Sequence, residues 1–266
     1  MQSNDEMIRI LFIGDIVGKT GRNVIKHRLK SMREEHLIDF VIANGENLAG
    51  GFGITQKIAV SMQNAGIDVF TSGNHIWNNN DVYNIINNNN ILRPLNYHPD
   101  LPGHGAADFY VNEQFLISVA NIEGRIFMNP IDCPFRAMDS YLEETGGNRI
   151  IIVDFHAEAT AEKQAMGYHL DGRVTALIGT HTHVQTADSR VLENGTAYIT
   201  DAGMTGGLEG VIGFNSDSSR KRILYQAPQR LQVASAKPML NGVLLHINTH
   251  SKKTEKIERI FEYDKD

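Results

Sequence analysis

Ile178-Gly179-Thr180-His181-Thr182-His183-Val184 decides how this chain is read. The apolar run 174–178 predicts a buried strand, and it breaks at Gly179-Thr180 just before two histidines spaced one apart. Alternate residues on a strand face the same way, but past the strand end the chain can turn, so the two imidazoles can reach metal, even two different ions. A lone His-x-His among 11 histidines in 266 residues is commonplace. The reading therefore turns on whether other strand ends carry matching ligands.

They do. Residues 9–13 predict a short strand ending on Gly14-Asp15, at the carboxyl edge where α/β sheets gather ligand-binding side chains. Gly18-Lys19-Thr20 has the look of a phosphate-binding loop, but only Asp15, Ile16 and Val17 separate it from Gly14 where that loop needs four residues, so it is rejected. Residues 20–35 predict an amphipathic helix on Val24, Ile25, Leu29 and Met32. A strand over 38–43 then runs into Asn44-Gly45-Glu46-Asn47 and a glycine-rich turn at Gly50, Gly51 and Gly53. A helix over 55–65 leads to a strand over 67–71 that ends on Gly73-Asn74-His75.

The asparagine-rich stretch 78–90 predicts a polar-faced surface helix or loop, closed by Arg93-Pro94. Strands over 107–111 and 115–122 are close enough for an antiparallel hairpin, so the sheet should be mixed. A short helix over 136–142 and a turn at Gly146-Gly147 follow. The strand over 149–155 delivers His156, and Thr160 begins a helix carrying Glu162 in its first turn. A strand over 196–200 reaches Asp201 and a flexible glycine-rich loop through Gly207, placed to shape a substrate pocket. Strands over 243–247 and 256–261 form a closing hairpin. No linker or repeat divides the chain, which is expected to fold as one domain over residues 1–266.

Composition bounds the function. A net charge of −6 lacks the basic footprint of a protein held on a nucleic-acid backbone or an anionic membrane. Cys133 is the sole cysteine, which rules out an intrachain disulfide and a cysteine-rich zinc site and fits a reducing cytoplasm. The polar, acidic start and the lack of a long apolar run predict neither an export signal nor a membrane span. Any metal must be held by His, Asp, Glu and Asn. Asp15, Glu46, Asn47, Asn74, His156, His181 and His183 supply seven such donors from five strand ends, more than one tetrahedral zinc needs. Two ions are the simplest reading. A bridging Glu46 would set them about 3.5–4 Å apart, to clamp a phosphoryl group and activate hydroxide. Apolar loops that read as exposed predict a homo-oligomer.

Gly14-Asp15, Gly73-Asn74-His75, His156 and Gly179-Thr180-His181-Thr182-His183 resemble the calcineurin-like metallophosphoesterase superfamily. Gly14-Asp15-Ile16-Val17-Gly18-Lys19-Thr20-Gly21-Arg22, Asn44-Gly45-Glu46-Asn47, His156-Ala157-Glu158-Ala159-Thr160 and Asp201-Ala202-Gly203-Met204 narrow the resemblance to the bacterial YmdB-like phosphodiesterases, over essentially the whole chain. The resemblance implies a four-layer α/β/β/α sandwich with two mixed sheets and hydrolysis of 2′,3′-cyclic nucleotides of the AMP and GMP class by metal-activated hydroxide. By similarity, Asp15, Glu46, Asn47 and His183 take one ion, Glu46, Asn74, His156 and His181 the other, and His75 donates a proton to the leaving oxygen. Val17 stands where the broad superfamily usually has a histidine, and Glu46 where it has an aspartate. Iron or manganese is expected in preference to zinc. Two alternatives stay open: a phosphomonoesterase or nucleotidase, and a regulatory RNA-associated protein with a vestigial metal site.

Overall fold

The computed structural model describes residues 7–88, 90–146 and 149–263. The acidic start through Glu6, Asn89 of the asparagine-rich stretch and Gly147 of the expected turn lie outside the described residues. The first half runs β1 (Met7–Ile13), β2 (Asp15–Ile16), α1 (Gly18–His36), β3 (Phe40–Asn44), α2 (Gln56–Gln63), β4 (Val69–Thr71), β5 (Ala106–Val111), β6 (Phe115–Glu123) and α3 (Pro134–Thr145). The second runs β7 (Ile150–His156), α4 (Thr160–Leu170), β8 (Ala176–Thr180), β9 (Arg190–Val191), β10 (Ala197–Ile199), β11 (Met204–Gly207), α5 (Ser216–Tyr225), β12 (Pro238–Asn248) and β13 (Thr254–Tyr263).

The central strands read as unbroken apolar runs because both of their faces are buried. On β1, Ile8, Ile10 and Phe12 enter a core shared with Ile117, Ile152, Ile178 and Ile199, while Leu11 and Ile13 face Ile25, Leu29, Met32 and Met62 of α1 and α2. On β7, Ile150 and Ile152 join the shared core, and Ile151, Val153 and Phe155 pack with Met138 of α3 and Met166 of α4. This alternation stacks helices, sheet, sheet and helices in the expected α/β/β/α order. The first sheet runs β2-β11-β12-β1-β3-β4, with β13 on β12, and the second runs β5-β6-β7-β8-β10-β9. Both are mixed: β1, β3 and β4 are parallel, as are β6, β7, β8 and β10, with antiparallel partners beside them. No helix among the described residues is long and apolar enough to cross a membrane.

One local expectation needs correction. Residues 204–207 are not part of a flexible loop: β11 is buried and pairs with β2 and β12. Its glycines suit close packing rather than mobility. Helix α4 begins at Thr160 and carries Glu162 in its first turn, as expected. The stretch after residue 78, expected as a polar-faced surface helix or loop, forms a short 3₁₀ turn (Asn80–Asn84) with Val82, Ile85 and Ile86 buried beneath its polar face.

The turn after β8 combines strained backbone with buried polar support. His181 and His183 hold φ of 99° and 66°, a region that costs on the order of 1–3 kcal/mol for a residue with a side chain. Lys163 of α4, 1% exposed, reaches under this turn and donates to the Thr180 carbonyl at 2.6 Å and to Asp201 Oδ2 at 2.8 Å. The same Asp201 oxygen accepts from the Thr182 N–H at 3.0 Å, and Asp15 Oδ2 accepts from the His181 N–H at 3.2 Å. Lys163→Met would leave Asp201 charged, buried and unpaired. Urea unfolding should then show a loss of about 3–5 kcal/mol; a loss under about 1 kcal/mol would show that the pair does not hold the turn.

Candidate metal centre

The carboxyl ends of β1, β3, β4, β7 and β8 meet at one rim of the sandwich, and the seven donors read from the sequence meet there too. Around His156 Nε2 stand His181 Nδ1 at 3.0 Å, Asn74 Oδ1 at 3.1 Å and Glu46 Oε1 at 3.1 Å. Beside this group lies a second. The Asn47 amide approaches Asp15 Oδ1 at 3.4 Å, Glu46 Oε1 at 3.4 Å and His183 Nε2 at 3.3 Å, and His183 Nε2 is 3.6 Å from Asp15 Oδ1. Glu46 Oε1 belongs to both groups. An amide nitrogen has two hydrogens for these three acceptors; the isosteric flip turns the carbonyl oxygen inward and makes the group all acceptor. Glu46, His156 and His181 alone bring three ligand atoms within metal-binding reach of one another.

The far nitrogen of each imidazole decides what its near nitrogen offers. His156 Nδ1 lies 2.9 Å from Thr180 Oγ1, whose hydroxyl is committed to Asp154 Oδ1 at 2.6 Å, so Nδ1 donates. His181 Nε2 faces Glu158 Oε2 at 3.1 Å, and His183 Nδ1 donates to the Ile212 carbonyl at 2.9 Å. Neutral rings in these tautomers aim lone pairs at the carboxylate oxygens, the arrangement by which outer partners orient metal-binding histidines. Electron pairs so close repel unless a cation or a proton lies between them.

Electrostatics follow from that crowding. Burial opposes charge on His156, but the Glu46 carboxylate, with Asp15 and Asp154, outweighs it and lifts the imidazole to about 10. Burial, then the His156 charge, pushes His181 down to about 3. Burial works to raise Asp15, yet His183 and His156 hold it far below the ordinary carboxylate range. Glu46 is likewise kept low by His156 against its burial. Buried carboxylate, amide and imidazole, with no thiolate, fit a divalent cation.

His75 stands at the side of this centre. Its backbone N–H donates to Glu46 Oε2 at 2.9 Å, and its ring meets Phe52 edge-on at 4.9 Å. Gly73, just before it, passes so close to His156 that a Cβ would lie 2.0 Å from the imidazole. A cavity of about 490 Å³ opens over the centre, lined by Glu46, Asn47, His75, His181 and His183 on one side and by residues of the 211–231 segment. A larger groove of about 730 Å³ between α1 and β13 contains none of the donors.

Sequence reasoning overlooked two residues that hold the centre. Asp154 falls inside the apolar run of β7 and reads as core, yet it anchors Thr180 and accepts from Asn44 Nδ2 at 3.1 Å. Its one signal was a charge within a buried strand, two residues before a histidine. Lys163 carried no signal, because its pairing with Asp201 joins residues 38 apart.

The family model described as YmdB-like protein matches residues 11–260. A Bacillus subtilis (strain 168) protein named 2′,3′-cyclic-nucleotide 2′-phosphodiesterase is 44% identical over 255 residues, covering 95% of this chain and 96% of its own length. A crystal structure of a hypothetical protein from Thermus thermophilus superposes with a TM-score of 0.91 at 37% identity, covering 97% of this chain and 100% of that one. A Mycoplasma pneumoniae structure described as a novel phosphatase does so with 0.90 at 35% identity, covering 97% and 94%. With a family match across most of its length and relatives this similar, the chain belongs to the YmdB-like family.

Proposed function

We propose that this chain is a dinuclear, metal-dependent phosphodiesterase that hydrolyses 2′,3′-cyclic nucleotides. One observation carries the reading: acceptor atoms of Glu46, Asn74, His156 and His181 converge at 3.0–3.1 Å, and Glu46 Oε1 is shared with the Asp15, Asn47 and His183 group. Asp15, Glu46, Asn47 and His183 would hold one ion, and Glu46, Asn74, His156 and His181 the other; oxygen and imidazole donors without thiolate accommodate iron or manganese, which we take in preference to zinc. Bound there, divalent ions supply Lewis-acid charge to a phosphoryl group and lower the pKa of water. The name and 44% identity of the Bacillus subtilis relative support the substrate class.

The chain's own residues do the positioning. Glu46 ties the centre to the proton donor, since its second oxygen holds the His75 backbone. Phe52, against the His75 ring, limits that ring's motion at the cavity wall. Ring opening of a cyclic phosphate expels an alkoxide, a poor leaving group, and His75 acts as the general acid that protonates it.

His156→Ala and His181→Ala should each abolish turnover of 2′,3′-cyclic AMP in metal-limited buffer, while circular dichroism stays native. A wild-type rate in either variant would overturn the assignment, and wild-type protein preferring a phosphomonoester over every diester would shift it to a phosphatase. His75→Ala should keep its metal and lose about 10²- to 10⁴-fold on cyclic nucleotides. On p-nitrophenyl diesters, whose leaving group needs little protonation, the loss should shrink. Equal losses on both substrates, or loss of metal, would remove His75 from the acid role.

A further inference from the structure

The glycine-rich turn after Asn47 contributes nothing to the donor groups, yet it builds part of the cavity above them. Gly51 has φ of 102° and passes so close to Phe214 that a Cβ would lie 2.6 Å from that ring. The turn thereby carries Phe52 into the cavity wall, its ring stacked on buried Phe214 at 5.2 Å and 19°. One face of Phe52 is taken by Phe214 and the His75 ring meets it at 4.9 Å and 73°, so it offers the cavity the surface these two rings leave open. Val211, Ile212, Ile223 and Leu231 extend this apolar lining.

Arg222 of α5 also lines the cavity. Its neighbours Arg220 and Lys221 both pair with Asp217, whereas Arg222 makes no ion pair or hydrogen bond among the described residues. The Phe52 ring and the Arg222 guanidinium line the cavity without belonging to the donor groups. At about 490 Å³ the cavity lies in the range of sites that enclose a whole small molecule. A flat, π-faced group with a polar edge suits both features, since aromatic rings stack bases and a guanidinium donates in a planar fork.

We propose that this cavity is a nucleoside subsite in which Phe52 packs against the base and Arg222 contacts the base's polar edge. The assignment rests on the phosphodiesterase reading for the place of the phosphate. Phe214 holds the shelf in position before substrate arrives, so little ordering is left for binding.

The test compares adenosine 2′,3′-cyclic phosphate with ribose 2,3-cyclic phosphate, which lacks the base. Wild-type protein should favour the nucleotide in kcat/KM by about 5- to 150-fold, the range of one base–aromatic stack. Phe52→Ala should collapse that ratio toward one, chiefly through KM, and Arg222→Ala should reduce it in part. An unchanged ratio in Phe52→Ala, with equal loss on both substrates, would show that Phe52 only props His75 and would overturn the subsite. Calorimetric binding of adenosine 3′-monophosphate and ribose 3-phosphate to manganese-equilibrated protein gives the same comparison without turnover. If no cyclic phosphate is hydrolysed but Phe52→Ala still weakens adenosine monophosphate binding, the phosphodiesterase reading falls and the subsite stands. If wild-type protein binds the two monophosphates equally, or neither, the subsite falls whatever the activity.

Discussion

The convergence of Glu46, Asn74 and His181 on the buried His156 Nε2 is the constraint on which the rest of this structure depends. Three acceptor atoms within 3.1 Å of a buried imidazole nitrogen would separate on flexible loops. Here each follows the end of a strand, β3, β4 or β8, whose two faces are both packed, so retreat would cost core contacts. Outer hydrogen bonds then lock the rings: Thr180 and Asp154 behind His156, Glu158 behind His181, and the Ile212 carbonyl behind His183. The buried Lys163–Asp201 pair supports the strained turn that presents two of the three histidines. Stability spent on such strain is a common signature of a functional site.

Much of the architecture was legible in the sequence, because β1, β3, β4, β7 and β8 bury both faces and stand out as largely apolar runs. Asp15, Glu46, Asn74 and His156 were legible for the same reason, each lying just beyond such a run. What spacing could not show was how the donors divide: that Glu46 Oε1 touches both groups is a consequence of sheet-to-sheet packing, not of order along the chain. Asp154 was hidden by its strand, where periodicity argues for core. The glycines of β11 imitated a loop, since composition alone does not distinguish close packing from mobility.

A division of labour runs through the molecule. The donors sit on strand ends, where position is set by two packed cores, whereas the proposed base-binding wall comes from a glycine-rich turn and the segment around α5. Of the α5 side chains only Ser219 is buried, so α5 itself adds little to the core. Chemistry needs fixed geometry and substrate choice tolerates change, which is why rigid elements tend to carry the first and loops the second.

The central claim is that Glu46 joins two cation sites into one centre. Anomalous diffraction at the manganese edge, on crystals equilibrated with manganese, tests it most directly. Two peaks per chain are expected, one among Asp15, Asn47 and His183, the other among Asn74, His156 and His181, with the Glu46 carboxylate between them. A single peak, or two peaks of which only one touches Glu46, would contradict it.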